Sequence, residues 1–279
     1  MKKLAGGIIG LIFLILCAAA QSFAAGPAIF FNTGSSVHNY CADASIAGCW
    51  RMNSAGDATE VDRSSAGNDL TETTGDTVAQ SSTVPSGYSG YSKAFVIAET
   101  EALQEAGDGS ELDINGADAK VSICAWVAPA SAAGTTVYNI AGKYSTTAGR
   151  QYKINAVATG ENTVKFGFLT STASDTDTGL ELYSATTNYA VDGATWYHVC
   201  GVDDDVHNSI YVNGSWSAEV DHTGGIYNGT SVFQIGATGS AGMYGGLGDE
   251  VIVLSRDLTA AEIADIYANG ITGTKGAGD

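Results

Sequence analysis

The chain has 279 residues and carries 30 acidic against 12 basic side chains, a formal net charge of −18 at pH 7. That balance argues against nucleic acid and anionic lipid as partners, because both need a basic surface. Glycine is abundant (36 residues) and proline scarce (3), with Thr, Ser, Val and Tyr prominent, a composition that favours strands and turns over helices.

Residues 1–24 read as a secretory signal: Lys2 and Lys3, an apolar run from Leu4 to Ala20, then Ser22-Phe23-Ala24. Cleavage after Ala24 leaves about 255 residues, the size of one β-sandwich domain, with no membrane segment. The alternative is a retained anchor, since the apolar run approaches spanning length. Cys17 follows Leu16, which is too bulky for a lipoprotein signal. Beyond the signal stand Cys41, Cys49, Cys124 and Cys200; an even count in an exported chain implies two disulfides, with three connectivities open.

Residues 25–45 form a weakly patterned N-terminal extension. A short strand over Cys49-Trp50-Arg51-Met52 then leads into a polar loop, Asp62 to Leu70, followed by a Ser/Thr/Gly-rich surface stretch over 71–92. Further strands are expected at 94–98, 121–128, 137–142, 151–157, 163–169, 180–184, 196–202, 209–213, 232–236 and 250–254. Many short strands with turns between them, and no βαβ alternation, indicate an all-β sandwich or barrel. The segment from Trp196 to Gly214 reads as a hairpin, with a polar turn begun by Asp203, Asp204 and Asp205 and a second turn signal at Asn213-Gly214. One helix is expected: Thr259-Ala260-Ala261-Glu262 has capping-box spacing, Ile263, Ile266 and Tyr267 share a face, and Gly270 ends it. Residues 271–279 look like a loose tail.

Three blocks carry a resemblance. They are Val121-Ser122-Ile123-Cys124-Ala125-Trp126-Val127; then Trp196-Tyr197-His198-Val199 leading to Ile210-Tyr211-Val212-Asn213-Gly214; and last Gly246-Leu247-Gly248-Asp249-Glu250-Val251-Ile252-Val253-Leu254 through Glu262-Ile263 and Tyr267. In this order they resemble the laminin-G/pentraxin group of concanavalin A-like jelly rolls, over roughly residues 46–270. The resemblance implies a two-sheet antiparallel jelly-roll sandwich with one short C-terminal helix. It places Cys124 and Cys200 where pentraxins join two strands by a disulfide, and so leaves Cys41 with Cys49. It also implies a structural Ca²⁺ held by Asp62, Asn68 and Asp249 with backbone carbonyls, and no other cofactor. For Asp62 to Asp69 the competing reading is an Asx-rich turn bonding its own amides. The pentraxin ligand-binding calcium site is not expected, because Ala237 to Gly248 contains no acidic residue.

Catalysis finds little support. A retaining glycosidase needs two carboxylates about 5–5.5 Å apart. Glu219 and Asp221, Glu99 and Glu101, and Glu181 read as surface carboxylates. The four histidines form no metal-ligand spacing, and His198 reads as structural. Tyr88, Tyr91, Tyr144, Trp216, Tyr227 and Tyr244 are candidates for stacking on sugar faces. The expectation is a secreted or cell-surface, non-enzymatic module that binds a glycan or an extracellular protein. A structural subunit of an extracellular assembly and a divergent polysaccharide hydrolase or lyase are the alternatives.

Overall fold

The computed structural model describes residues 38–55, 59–73, 77–96, 101–108, 110–130, 137–145, 149–172, 182–184, 188–237, 242 and 244–275. Residues 1–24, expected to be a signal, most of the expected N-terminal extension, and Glu99 and Glu181 lie outside them. The strands are β1 (Ile46–Trp50), β2 (Thr71–Glu72), β3 (Ala79–Ser81), β4 (Ser92–Phe95), β5 (Leu103–Gln104), β6 (Val121–Pro129), β7 (Val137–Ser145) and β8 (Gly149–Gly160). They continue as β9 (Thr163–Thr170), β10 (Leu182–Tyr183), β11 (Tyr189–Ala190), β12 (Tyr197–Asp203), β13 (His207–Val212), β14 (Ser215–Asp221), β15 (Phe233–Ile235) and β16 (Gly246–Leu254), before helix α1 (Ala260–Asn269).

Two antiparallel sheets pack into a jelly-roll sandwich. The first runs β14-β13-β12-β6-β16-β4-β3 with β1 also on β16; the second runs β10-β9-β8-β7-β15-β5-β2 with β11 on β9. Alternation sets the faces, since successive side chains on a strand point to opposite sides. Ile123, Ala125 and Val127 of β6 and Ile154 and Ala156 of β8 enter the core between the sheets, with Phe166, Phe168, Trp50 and Phe233. Gly201 is required there, because a Cβ would lie 2.0 Å from the Phe168 ring.

The reverse face of the first sheet is also buried. Cys124, Cys200, Val202, Ile252 and Leu254 pack beneath Ile263 and Ile266 of α1, with Tyr40 and Ile271. Cys200 stands directly opposite Cys124 in the β12–β6 register, and the two are disulfide-bonded. Cys41 is bonded to Cys49, with Cα atoms 5.5 Å apart. The capping box at Thr259 and Glu262 forms as its spacing implies, and the Gly270 amide closes α1 on the Ile266 carbonyl.

Several local expectations shift. The Asp203–Asp205 turn joins β12 to β13, whereas Asn213-Gly214, with φ of 52° and 74°, turns β13 into β14, a strand absent from the expected set. Asp203 is not a wet turn residue: it is fully buried, its carboxylate 3.2 Å from His222 Nδ1 between the sheets. Nor is the stretch after Gly270 loose throughout, for Ile271 is buried and its carbonyl accepts the Tyr40 amide.

Candidate functional site

The outward face of the second sheet is unusually polar. Register places Gln104, Gln234, Gly142, Lys153 and Leu169 in one row across β5, β15, β7, β8 and β9. A second row holds Asn139, Asn155, Gly167 and Tyr183 across β7, β8, β9 and β10. Between the rows, Ala141, Ile154, Phe168 and Leu182 point the other way into the core. Apart from Gly142, Gly167 and Leu169, the positions that alternation directs outward here carry amides, an ammonium or a phenol.

These groups are held in place. The Lys153 ammonium donates to Asn139 Oδ1 at 3.1 Å and sits 4.0 Å from the centre of the Tyr144 ring, over which Arg150 also lies. Asn139, Lys153, Asn155 and Gln234 are buried, and Gln104, Tyr144, Arg150 and Tyr183 surround them half-buried. Gly167 lets Asn155 and Tyr183 close over the sheet, since a Cβ would lie 2.2 Å from Asn155 Oδ1. The outcome is a floor of amides and cations with tyrosine rings at its side. Amides and ammonium groups bond hydroxyls and carbonyls, and phenol rings stack on planar or apolar faces.

At the edge of this sheet lies a cleft of about 560 Å³ lined by Asn68, Asp69, Glu105, Asp108 and Ser110 among others. Its wall is braced by the buried Lys143 ammonium, which donates to Asp108 Oδ1 at 2.8 Å and to Glu105 Oε1 at 3.2 Å.

Of the residues expected to hold calcium, Asp62 and Asn68 share one loop and Asp249 stands on β16. Asp62 Oδ1 accepts the amides of Cys49 and Ser64, and Oδ2 accepts the Ser64 hydroxyl and the Asn68 amide. Those four donors fill the lone-pair positions of one carboxylate. The Asn68 side chain donates to the Ala47 carbonyl at 2.7 Å. Asp249 sits on β16 opposite Trp126, and burial, followed by the neighbouring Glu250 charge, raises its pKa well above the usual carboxylate range. Through its four bonds Asp62 organises an Asx-rich loop. Among the described residues the one grouping at ligand distances is Cys124, His198 and Cys200, whose sulfurs are spent in a disulfide.

The carboxylates considered for catalysis also separate. Glu219 and Asp221 are exposed on the edge strand β14. Glu101 is buried rather than superficial, because its carboxylate accepts the Val96 amide. Among the aromatic candidates, Tyr244 belongs to the core and Tyr91 and Trp216 are exposed. The sheet floor escaped sequence reading, although the polar alternation of Gln151, Lys153 and Asn155 on β8 signalled its central strand.

The family model of the Concanavalin A-like lectin/glucanases superfamily, laminin-G type, matches residues 106–264. No curated protein matches the sequence. Among solved structures, the binding domain of Paraclostridial Mosquitocidal Protein 1 is 12% identical with a TM-score of 0.60, over 80% of this chain and 52% of that one. A structure described under "Cell entry of botulinum neurotoxin type C is dependent upon interaction with two ganglioside molecules" is 13% identical with a TM-score of 0.56, over 80% and 51%. The chain thus spans about half the length of these toxin structures. Domain 4 of AbnA, a GH43 extracellular arabinanase from Geobacillus stearothermophilus solved with arabinotriose, is 16% identical with a TM-score of 0.54, over 80% and 98%. With the matching family model covering more than half of the sequence and both sheets in place, the chain belongs to the laminin-G-type family of the concanavalin A-like lectin/glucanases superfamily.

Proposed function

We propose that this is an exported, non-enzymatic binding module whose ligand is a glycan, received on the outward face of the second sheet. The observation that carries the reading is the two-row floor of Asn139, Lys153, Asn155, Gln104 and Gln234 with Tyr144 and Tyr183 beside it. Amides and an ammonium offer directional bonds to sugar hydroxyls, and rings offer stacking surface, the combination a small polar ligand requires. The arabinotriose-bound neighbour is consistent with this choice as an analogy of fold, and folds of this kind host several functions. Two disulfides suit an oxidising compartment, and among the described residues no helix is long and apolar enough to cross a membrane.

A glycan array followed by calorimetry tests the assignment. Lys153→Ala and Tyr144→Ala are each expected to weaken the best glycan by about tenfold or more, equivalent to about 1.4 kcal/mol, with melting temperatures recorded alongside. Wild-type affinity in both variants removes the ligand from this face. Product release from a polysaccharide, abolished by one carboxylate substitution, replaces the binding reading with a hydrolase or lyase.

A further inference from the structure

The reverse face of the first sheet carries a second constellation, independent of the glycan reading. Trp126 lies on the central strand β6, Tyr267 on α1 and Tyr88 on the segment before β4. The Trp126 indole N–H donates to the Tyr88 hydroxyl at 3.0 Å, and the Tyr267 ring stacks on the indole at 5.5 Å between centroids. Tyr88 meets the same indole edge-on at 5.7 Å.

Into this group reaches the ammonium of Lys275, 5.1 Å from the Tyr88 ring centre and 5.7 Å from those of Trp126 and Tyr267. Burial lowers the pKa of this ammonium, and the neighbouring Glu250 charge works against that shift. Three ring faces around one cation, with a carboxylate nearby, form the arrangement by which aromatic cages recognise ammonium ions.

The walls are fixed by contacts that do not involve the lysine. Glu250 receives Arg51 Nε at 3.0 Å and the Ile271 amide at 3.2 Å. Tyr267 is seated against Gly214, where an added Cβ would come within 2.9 Å of its ring. Helix, sheet and loop thus prebuild the cage, and only its occupant comes from the C-terminal segment. We propose that the Tyr88–Trp126–Tyr267 cage is a binding site for an alkylammonium group, kept filled in cis by Lys275. A free or partner-borne alkylammonium competes with this tethered plug.

Titration of the full chain and of Lys275→Ala with tetramethylammonium at constant ionic strength, followed by calorimetry and by the Trp126 indole NMR signal, tests the site. A tethered competitor acts at about millimolar effective concentration, so opening the cage is expected to tighten binding by about tenfold. Lys275→Arg is expected to stay closed, and Lys275→Ala combined with Tyr88→Ala to lose binding. The uncharged choline isostere 3,3-dimethyl-1-butanol, which keeps the tert-butyl shape without the charge, is expected not to bind. Absence of saturable binding in a folded Lys275→Ala protein overturns the proposal, as does equal affinity in wild type and Lys275→Ala or equal binding of the isostere. Should Lys275→Ala fail to fold, the wild-type Trp126 indole signal at saturating tetramethylammonium decides: a shift supports displacement, and none overturns it.

Discussion

Asp62 shows how one side chain organises a loop. It accepts amides from β1, from its own turn and from Asn68, so the segment folds around a carboxylate. Asp62→Ala leaves the buried Cys49 amide and its neighbours without an acceptor, and about 3 kcal/mol of stability is expected to be lost in chemical denaturation. The same saturation predicts that neither EDTA nor Ca²⁺ moves the melting temperature; a calcium-dependent rise would restore a metal to this loop. His198 makes a second residue-scale case. It lies buried between Trp126 and Tyr267, and burial, followed by the Lys275 charge, pushes its pKa down to about 3. Below its ordinary pKa of 6.5 the unfolded imidazole takes a proton that the folded one refuses, so stability falls as pH drops from there towards about 3. The slope is about 1.4 kcal/mol per pH unit. In urea titrations His198→Gln is expected to flatten this component, although Asp249, whose pKa is raised, works in the opposite direction. An unchanged slope in His198→Gln would assign the acid sensitivity elsewhere.

Among elements, α1 was the most legible. Thr259 and Glu262 satisfy each other's backbone amides, and the apolar face of Ile263 and Ile266 buries over the disulfide side of the first sheet. Thr259→Ala is expected to cost about 1 kcal/mol, measured as a shift in denaturation midpoint. The long strands β6, β7, β8, β9 and β12 were also foreseeable, because each has several consecutive positions whose alternation or apolarity leaves little choice. The shorter pieces β2, β3, β5 and β11 were not: two or three residues carry no periodicity, and their pairing is supplied by neighbours distant in the chain. Strand β14 was missed for another reason. Ser215 to Asp221 is an edge strand with no fully buried residue, so it lacks the apolar signal on which strand recognition depends. The Asn213-Gly214 turn was nevertheless read, since positive φ at both positions restricts the residues that fit.

At the scale of the whole molecule, the disulfides tie the N-terminal 3₁₀ turn (Tyr40–Ala42) and the paired central strands into one covered face. The Cys124–Cys200 link spans 76 residues, for which loop-closure entropy gives about 4 kcal/mol of stabilisation. Replacing both cysteines by alanine is expected to lower stability by that order, and non-reducing peptide mapping checks the pairing directly. A Cys41 peptide linked to either Cys124 or Cys200 would contradict it. The sequence by itself determined the all-β class, the capped helix and the family-bearing blocks, because alternation, capping and turn chemistry are local properties. Only the tertiary structure decided which outward polar residues form one floor, that Asp62 gathers four donors from β1 and its own loop, and that Lys275 meets three rings from positions 88, 126 and 267. Those outcomes depend on strand order and register, which bring together side chains that no local pattern relates.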